Sequence, residues 1–145
     1  MSFKAEHLQM LEKRQAKARA GKVSCMSNSK WEKLFKAVGS SDLSFSGETI
    51  KNIGDDQIRG RFSIKTDGLY CETVFRYEDG SECLGPRYST RDGAGGGPAA
   101  YKDIEWIFVP ALYGNDLPRL KLLVDGLGKF EYDLDENGFK IYGYR

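Results

Sequence analysis

Four of the five residues from Gly93 to Gly97 are glycine, inside the run Arg91-Asp92-Gly93-Ala94-Gly95-Gly96-Gly97-Pro98. Such a run cannot fill the interior of a helix or a strand, because each glycine loses much backbone freedom on ordering and brings no side chain to pack. The run is either a slack connection or a backbone surface shaped to meet a ligand, and the phosphate-cradling patterns do not fit. No Gly-Lys-Ser/Thr ending follows, and Pro98 stands where the third glycine of a Gly-x-Gly-x-x-Gly turn belongs. Residues 91–98 are expected to be mobile and at the periphery of a sheet, joining a strand that ends near Thr90 to one that begins near Ile104. Arg87 and Arg91 before the run, with Tyr101 and Lys102 after it, are placed to close on an anion or on the acidic rim of a partner.

The remaining punctuation is made of turns. Asp67-Gly68, Asp79-Gly80 and Asn137-Gly138 each separate segments with alternating or apolar character, and Asp-Gly and Asn-Gly are hairpin signals. Ile58–Lys65 alternates, with Ile58, Phe62 and Ile64 on one side, and Leu69–Tyr77 follows. A two-residue turn at Asp79-Gly80 sets Phe75 opposite Leu84, Arg76 opposite Cys83, Cys71 opposite Tyr88 and Glu72 opposite Arg87. Ile104–Val109 reads as a buried central strand closed by Pro110. A turn at Asn137-Gly138 sets Leu134 opposite Ile141 and Tyr132 opposite Gly143, with Asp133 facing Tyr142 and Asp135 facing Lys140 on the other side.

Helical period appears three times. Residues 3–20 are rich in strong helix formers, with Phe3, His7, Met10 and Leu11 on one side and Gly21 as the stop. Ser27-Asn28-Ser29 offers caps for a second helix, with Ser29 and Glu32 at capping-box spacing. Its stripe is Trp31, Leu34, Phe35 and Val38, and Gly39 ends it. Residues 40–56 read as an irregular connection with a short strand around Leu43–Phe45. Asp116 caps a third helix with Pro118 in its first turn and Leu120, Leu123, Val124 and Leu127 as its stripe, ended by Gly126 or Gly128. The order predicts an α+β fold in a single domain: a mostly antiparallel sheet, two N-terminal helices, and one helix before a C-terminal β-hairpin. Residues 1–22 form a basic N-terminal helix and residues 23–145 the α+β domain.

Composition excludes more than it selects. At 145 residues, 40% hydrophobic and 30% charged, the chain is an ordinary soluble domain. No apolar run approaches the roughly 18 residues of a membrane span, and the polar start has no signal-peptide core, so the expected location is cytoplasmic. Cys25, Cys71 and Cys83 are odd in number and widely spaced, and His7 is the single histidine, which argues against zinc and against a disulfide framework. No metal or cofactor is expected. The net charge of +1 gives no global field, but residues 1–22 carry six basic side chains against Glu6 and Glu12, a local balance of +4.

Catalytic chemistry finds little to build on. A histidine-based triad or a multi-histidine metal site would have to be built on His7, which reads instead as a packed or half-exposed residue of the first helix stripe. Asp133-x-Asp135-x-Asn137-Gly138 resembles the opening of a calcium loop, but Tyr144 occupies the place of its bidentate glutamate. Cys83 is activated only if Arg76 faces it. Eight tyrosines, by contrast, suit a protein interface, since the ring packs and the hydroxyl hydrogen-bonds. Asp133, Asp135, Tyr142 and Tyr144 on the terminal hairpin form a candidate docking rim, with Arg87, Arg91 and Tyr101 beside the glycine run. The cluster Lys13, Arg14, Lys17 and Arg19 supports nucleic-acid binding as the alternative.

Three segments, Ser27–Phe35 (SNSKWEKLF), Lys102–Ile107 (KDIEWI) and Asn137–Tyr144 (NGFKIYGY), resemble a group of small uncharacterised bacterial proteins. The similarity spans roughly residues 26–145. The group is similar in size and composition to the immunity proteins that bacteria encode beside secreted toxins. That resemblance implies a non-enzymatic protein-binding domain, an inhibitor that occupies a toxin's active site, with a protein as partner and no catalytic residues to carry over.

Overall fold

Trp31, Leu34, Phe35 and Val38 are all buried on helix α2 (Asn28–Ser40), as their spacing requires. The computed structural model describes residues 9–10, 13–14, 16–69, 75–76, 82–83, 87–88 and 99–145. The N-terminal helix α1 is described at residues 9–10, 13–14 and 16–19, and Met10, placed on its expected apolar stripe, is 69% exposed. Phe3, His7 and Leu11 lie outside the described residues, as do Arg91 and the glycine run. Among the described residues no helix is long and apolar enough to cross a membrane.

Ser27 caps α2, its hydroxyl accepting the Lys30 amide at 3.2 Å. With the helix started there, Glu32 sits too far in to box with Ser29 and instead pairs with Lys36 at 2.6 Å. The helix also runs past Gly39, and Ser41 ends it by donating its hydroxyl to the Val38 carbonyl at 2.7 Å. Helix α3 (Leu117–Leu127) follows expectation: Asp116 accepts the Arg119 amide at 3.2 Å, Pro118 lies in the first turn, and Gly128 closes it.

Four strands form an antiparallel sheet in the order β1-β6-β8-β7: β1 (Thr49–Asn52), β6 (Ile104–Pro110), β7 (Tyr132–Leu134) and β8 (Gly138–Tyr142). Both α2 and α3 pack on one face of it. Ile50, Ile107, Val109, Phe139 and Ile141 meet Trp31, Leu34, Phe35, Val38, Leu120 and Val124 in a single core. Phe35 is its hub, 5.7 Å from Trp31, 5.3 Å from Tyr101 and 6.3 Å from Phe62 between ring centres. This is the α+β architecture read from the order of elements.

Several local expectations give way to side-chain chemistry. The strand in the first connection is Thr49–Asn52, not Leu43–Phe45. Ile58–Lys65 is not a strand. Arg59 exchanges two main-chain bonds with Ile50 (3.0 and 2.9 Å), but beyond it Arg61 adopts φ 53°, and carboxylates take the next amides. Glu48 accepts the Ile64 N–H at 2.8 Å and Asp67 that of Ser63 at 2.9 Å. Phe62 and Ile64 are nonetheless buried, whereas Ile58 is exposed.

The middle hairpin is offset by one residue. β2 (Phe75–Arg76) pairs with β3 (Glu82–Cys83) so that Phe75 faces Cys83 and Arg76 faces Glu82. An odd number of residues separates Arg76 from Glu82, which a two-residue Asp79-Gly80 turn cannot close. The register therefore withdraws Arg76 from Cys83. β4 (Arg87–Tyr88) pairs with β5 (Ala99–Ala100), Arg87 opposite Ala100 and Tyr88 opposite Ala99; Cys71 and Glu72, the partners expected for Tyr88 and Arg87, lie outside the described residues. An antiparallel pair thus brackets the glycine run, and a 3-10 turn, Tyr101–Asp103, leads from β5 into β6.

The C-terminal hairpin is offset by two, which preserves the faces. Tyr132 faces Ile141, Asp133 faces Lys140 and Leu134 faces Phe139. The cause is Asp135, whose carboxylate accepts the amides of Asn137 (2.8 Å) and Gly138 (3.3 Å) while its own amide donates to the Gly138 carbonyl at 3.1 Å. The turn is therefore Glu136-Asn137. Gly138 is required for another reason: at φ 155°, a Cβ there would collide with the Val109 carbonyl oxygen across the sheet.

Candidate functional site

The face of the sheet away from the helices is built by the same alternation that builds the core. Trp106 and Phe108 on β6, Lys140 and Tyr142 on β8, Asp133 on β7, and Thr49 and Lys51 on β1 alternate with the buried set. Register turns them into two rows across the strands. One reads Lys51, Trp106, Tyr142; the other reads Thr49, Phe108, Lys140, Asp133. All seven are half-buried.

Lys140 ties the rows together. Its ammonium lies 4.6 Å from the Trp106 ring centre, 5.9 Å from Phe108 and 6.0 Å from Tyr142. Beside it the Arg145 guanidinium stacks 4.5 Å over Tyr142 and donates to both Asp133 oxygens, at 2.9 and 3.0 Å. The Tyr142 hydroxyl donates to the same carboxylate at 2.9 Å. That hydroxyl first, and Arg145 second, hold the Asp133 carboxyl below the usual range. Burial and then the bond to Asp133 push the Tyr142 phenol up, so it remains a neutral donor.

At the other end of the face, Glu105 is 7% exposed and receives Lys51 at 2.5 Å and Lys22 at 3.4 Å. Arg19 approaches Asp103 at 4.0 Å. Two cations at the end of the basic N-terminal segment are thus engaged by carboxylates of the domain. Lys13, Arg14 and Lys17 remain exposed.

The residues expected to form the docking rim part company. Asp133, on the edge strand β7, and Tyr142, on β8, both stand on the face and are joined by the Tyr142 hydroxyl. Asp135 is exposed and spends its carboxylate on the hairpin turn. Tyr144 is half-buried, its hydroxyl donating to the Lys102 carbonyl at 2.5 Å, and burial pushes that phenol up. Tyr101 is withdrawn from any surface role: it is 1% exposed and its hydroxyl donates to the Gly68 carbonyl at 2.6 Å in the core. Arg87 is placed on β4, and Arg91 lies outside the described residues.

Trp106, Phe108, Lys140 and Arg145 are the members that sequence reading missed. A run of apolar residues from Ile104 to Val109 reads as buried on both sides, and it is Lys140, opposite Phe108 on the neighbouring strand, that marks one side as open. Among the described residues no three of His, Cys, Asp and Glu come together as metal ligands, and the Cys25 thiol is pushed up by burial and by Glu131. No protein-family model, curated protein or solved structure matches the chain.

Proposed function

We propose that the chain is a non-enzymatic, cytoplasmic protein-binding domain of the immunity type, which inhibits a toxin by covering its active site with the outer face of the sheet. The observation that carries this reading is the ladder of Trp106, Phe108 and Tyr142 clamped by Lys140 and Arg145. It offers large rings whose positions are fixed before binding, with charged groups already oriented by their neighbours. Such preorganised aromatic and arginine anchors dominate protein interfaces because little side-chain entropy remains to be lost.

The same geometry favours protein over single-stranded nucleic acid. Base stacking needs free ring faces, and here Lys140 occupies that of Trp106 while Arg145 occupies that of Tyr142. Nucleic-acid binding keeps one foothold, the exposed Lys13, Arg14 and Lys17. It requires affinity that falls steeply with salt and disappears when the first helix is removed.

Co-expression with the product of the neighbouring gene is the direct test. The wild-type chain is expected to rescue growth and co-purify with that product, and Lys140→Glu, checked for folding by circular dichroism, is expected to do neither. Rescue that survives both Lys140→Glu and Trp106→Ala, or turnover of a small molecule by the purified chain with no protein captured, overturns the reading.

A further inference from the structure

A groove of about 460 Å³ opens at the edge of the sheet, apart from the aromatic ladder. Its origin is a change of neighbour along one strand. Tyr142 donates its amide to the Glu131 carbonyl at 2.9 Å, continuing β7. Over the next three residues a different segment takes over: Cys25 donates to the Gly143 carbonyl at 2.8 Å, and Val23 and Arg145 exchange two bonds of 2.9 Å. Gly143 and Tyr144 both donate to the Glu105 carbonyl, at 2.7 and 3.1 Å, a bulge that turns the chain between the two partners. Residues 23–25 and 129–131 form opposite walls of the groove, and the first turn of α2 contributes Lys30.

The charges on those walls are not balanced. Lys30, Lys129 and Arg145 come from three separate parts of the chain, and Glu131 is the single acidic side chain lining the groove. Arg145 is committed to Asp133, but neither Lys30 nor Lys129 has a carboxylate within ion-pair distance among the described residues. Lys30 also breaks a local rule. It sits in a first helical turn that holds no acidic residue, where the macrodipole disfavours a cation. Its ammonium is nevertheless held in place, donating to the Lys129 carbonyl at 2.9 Å and lying 5.6 Å over the Phe130 ring. An ammonium has three donors, so two remain after that bond. Val23, on the facing wall, is 71% exposed, apolar surface that an occupant would remove from water.

We propose that this groove binds a small organic anion. A phosphate or carboxylate group is received by Lys30 and Lys129, and an aromatic or aliphatic body lies between Phe130 and Val23. The volume falls in the range of small-molecule sites. The Cys25 thiol, kept neutral by burial and by Glu131, serves there as apolar wall and takes no covalent part.

Three probes test the site by amide chemical shifts of the full chain: phenyl phosphate, benzoate and inorganic phosphate, against sodium chloride at matched ionic strength. Shifts localised to residues 23–25, 30 and 129–131 are expected with phenyl phosphate or benzoate, whichever head group the lysines prefer. Inorganic phosphate should bind roughly tenfold more weakly than phenyl phosphate, because it buries no apolar surface. Lys30→Gln with Lys129→Gln should weaken phenyl phosphate or benzoate by roughly tenfold or more, the loss of charge-assisted hydrogen bonds. Lys140→Gln, on the outer face, should leave that affinity unchanged. Equal shifts with sodium chloride, shifts scattered outside the groove, no shifts with any of the three probes, or unaltered affinity in the double variant overturn the proposal.

Discussion

The two faces of the sheet are drawn from the same strands and obey the same alternation, yet different physics holds them. On the inner face Ile50, Ile107, Val109, Phe139 and Ile141 are wholly buried against α2 and α3. Their contribution is removal of apolar surface from water, which is non-directional and scales with area. On the outer face Trp106, Phe108 and Tyr142 are half-buried, and what covers them is the stem and head of Lys140 and the plane of Arg145. There the geometry is directional and the energies are small. A fold can afford to change the second face without losing the first, which is the condition for a surface that specialises in recognition.

The comparison breaks most visibly at the centre of the inner face. Ile107→Ala should cost about 3 kcal/mol of stability, a large-to-small change at a site with no room to collapse, measured as a lowered denaturant midpoint with unchanged slope. A loss no larger than that of an outer-face truncation would show that the two faces do not differ as described. Next comes Glu105→Gln. It leaves Lys51 and Lys22 without their shared carboxylate and should cost about 2 kcal/mol, the scale for losing charged hydrogen bonds at a mostly buried acceptor. Amide exchange near residue 22 should rise in the same variant, and unchanged exchange there would detach the N-terminal segment from Glu105.

Lys140→Ala sharpens the contrast from the other side. A partly exposed cation over aromatic rings contributes about 0.5–1 kcal/mol, so its midpoint should barely move while partner capture is lost; a loss comparable to that of Ile107→Ala would make it a core residue. The smallest effect concerns acid. Tyr142 and Arg145 hold the Asp133 carboxyl below its unfolded value. The stability this provides is fully present above the ordinary carboxylate range, about 4, and is lost as pH falls through the depressed folded value. Asp133 is 45% exposed, so solvent screens the effect. Asp133→Asn should slightly flatten the acid limb of a stability–pH curve, and a steeper limb in the variant would reverse the sign.

What could be read in the residues follows the same division. The stripes Trp31–Val38 and Leu120–Leu127 announce their helices because burial imposes a period that no polar residue interrupts. Asp116 and the terminal hairpin are equally legible. Registers are not, because a single carboxylate resets them: Asp135 moves the hairpin by two residues and Asp67 with Glu48 dissolves a strand that alternation alone supports. Of the docking face, Asp133 and Tyr142 were visible as polar members of an alternating strand. Trp106 and Phe108 were hidden by their apolar neighbours, and Arg145 by the fact that its partner, Asp133, is reached only once β7 and β8 are paired. Tyr101 failed in the opposite sense, a tyrosine whose hydroxyl finds its acceptor inside the core.

The bridge between Ile50 and Arg59 bears on how copies of this chain can meet. It places two main-chain bonds on the outer side of β1, closing one edge of the sheet at the middle of its strand. The opposite edge is β7, three residues long, with no strand paired beyond it among the described residues. Strand-by-strand polymerisation needs two open edges per molecule, one to accept a neighbour and one to extend the array. With the β1 edge closed at its centre, pairing of this four-stranded sheet through β7 joins two copies about a twofold axis and is not extended through β1.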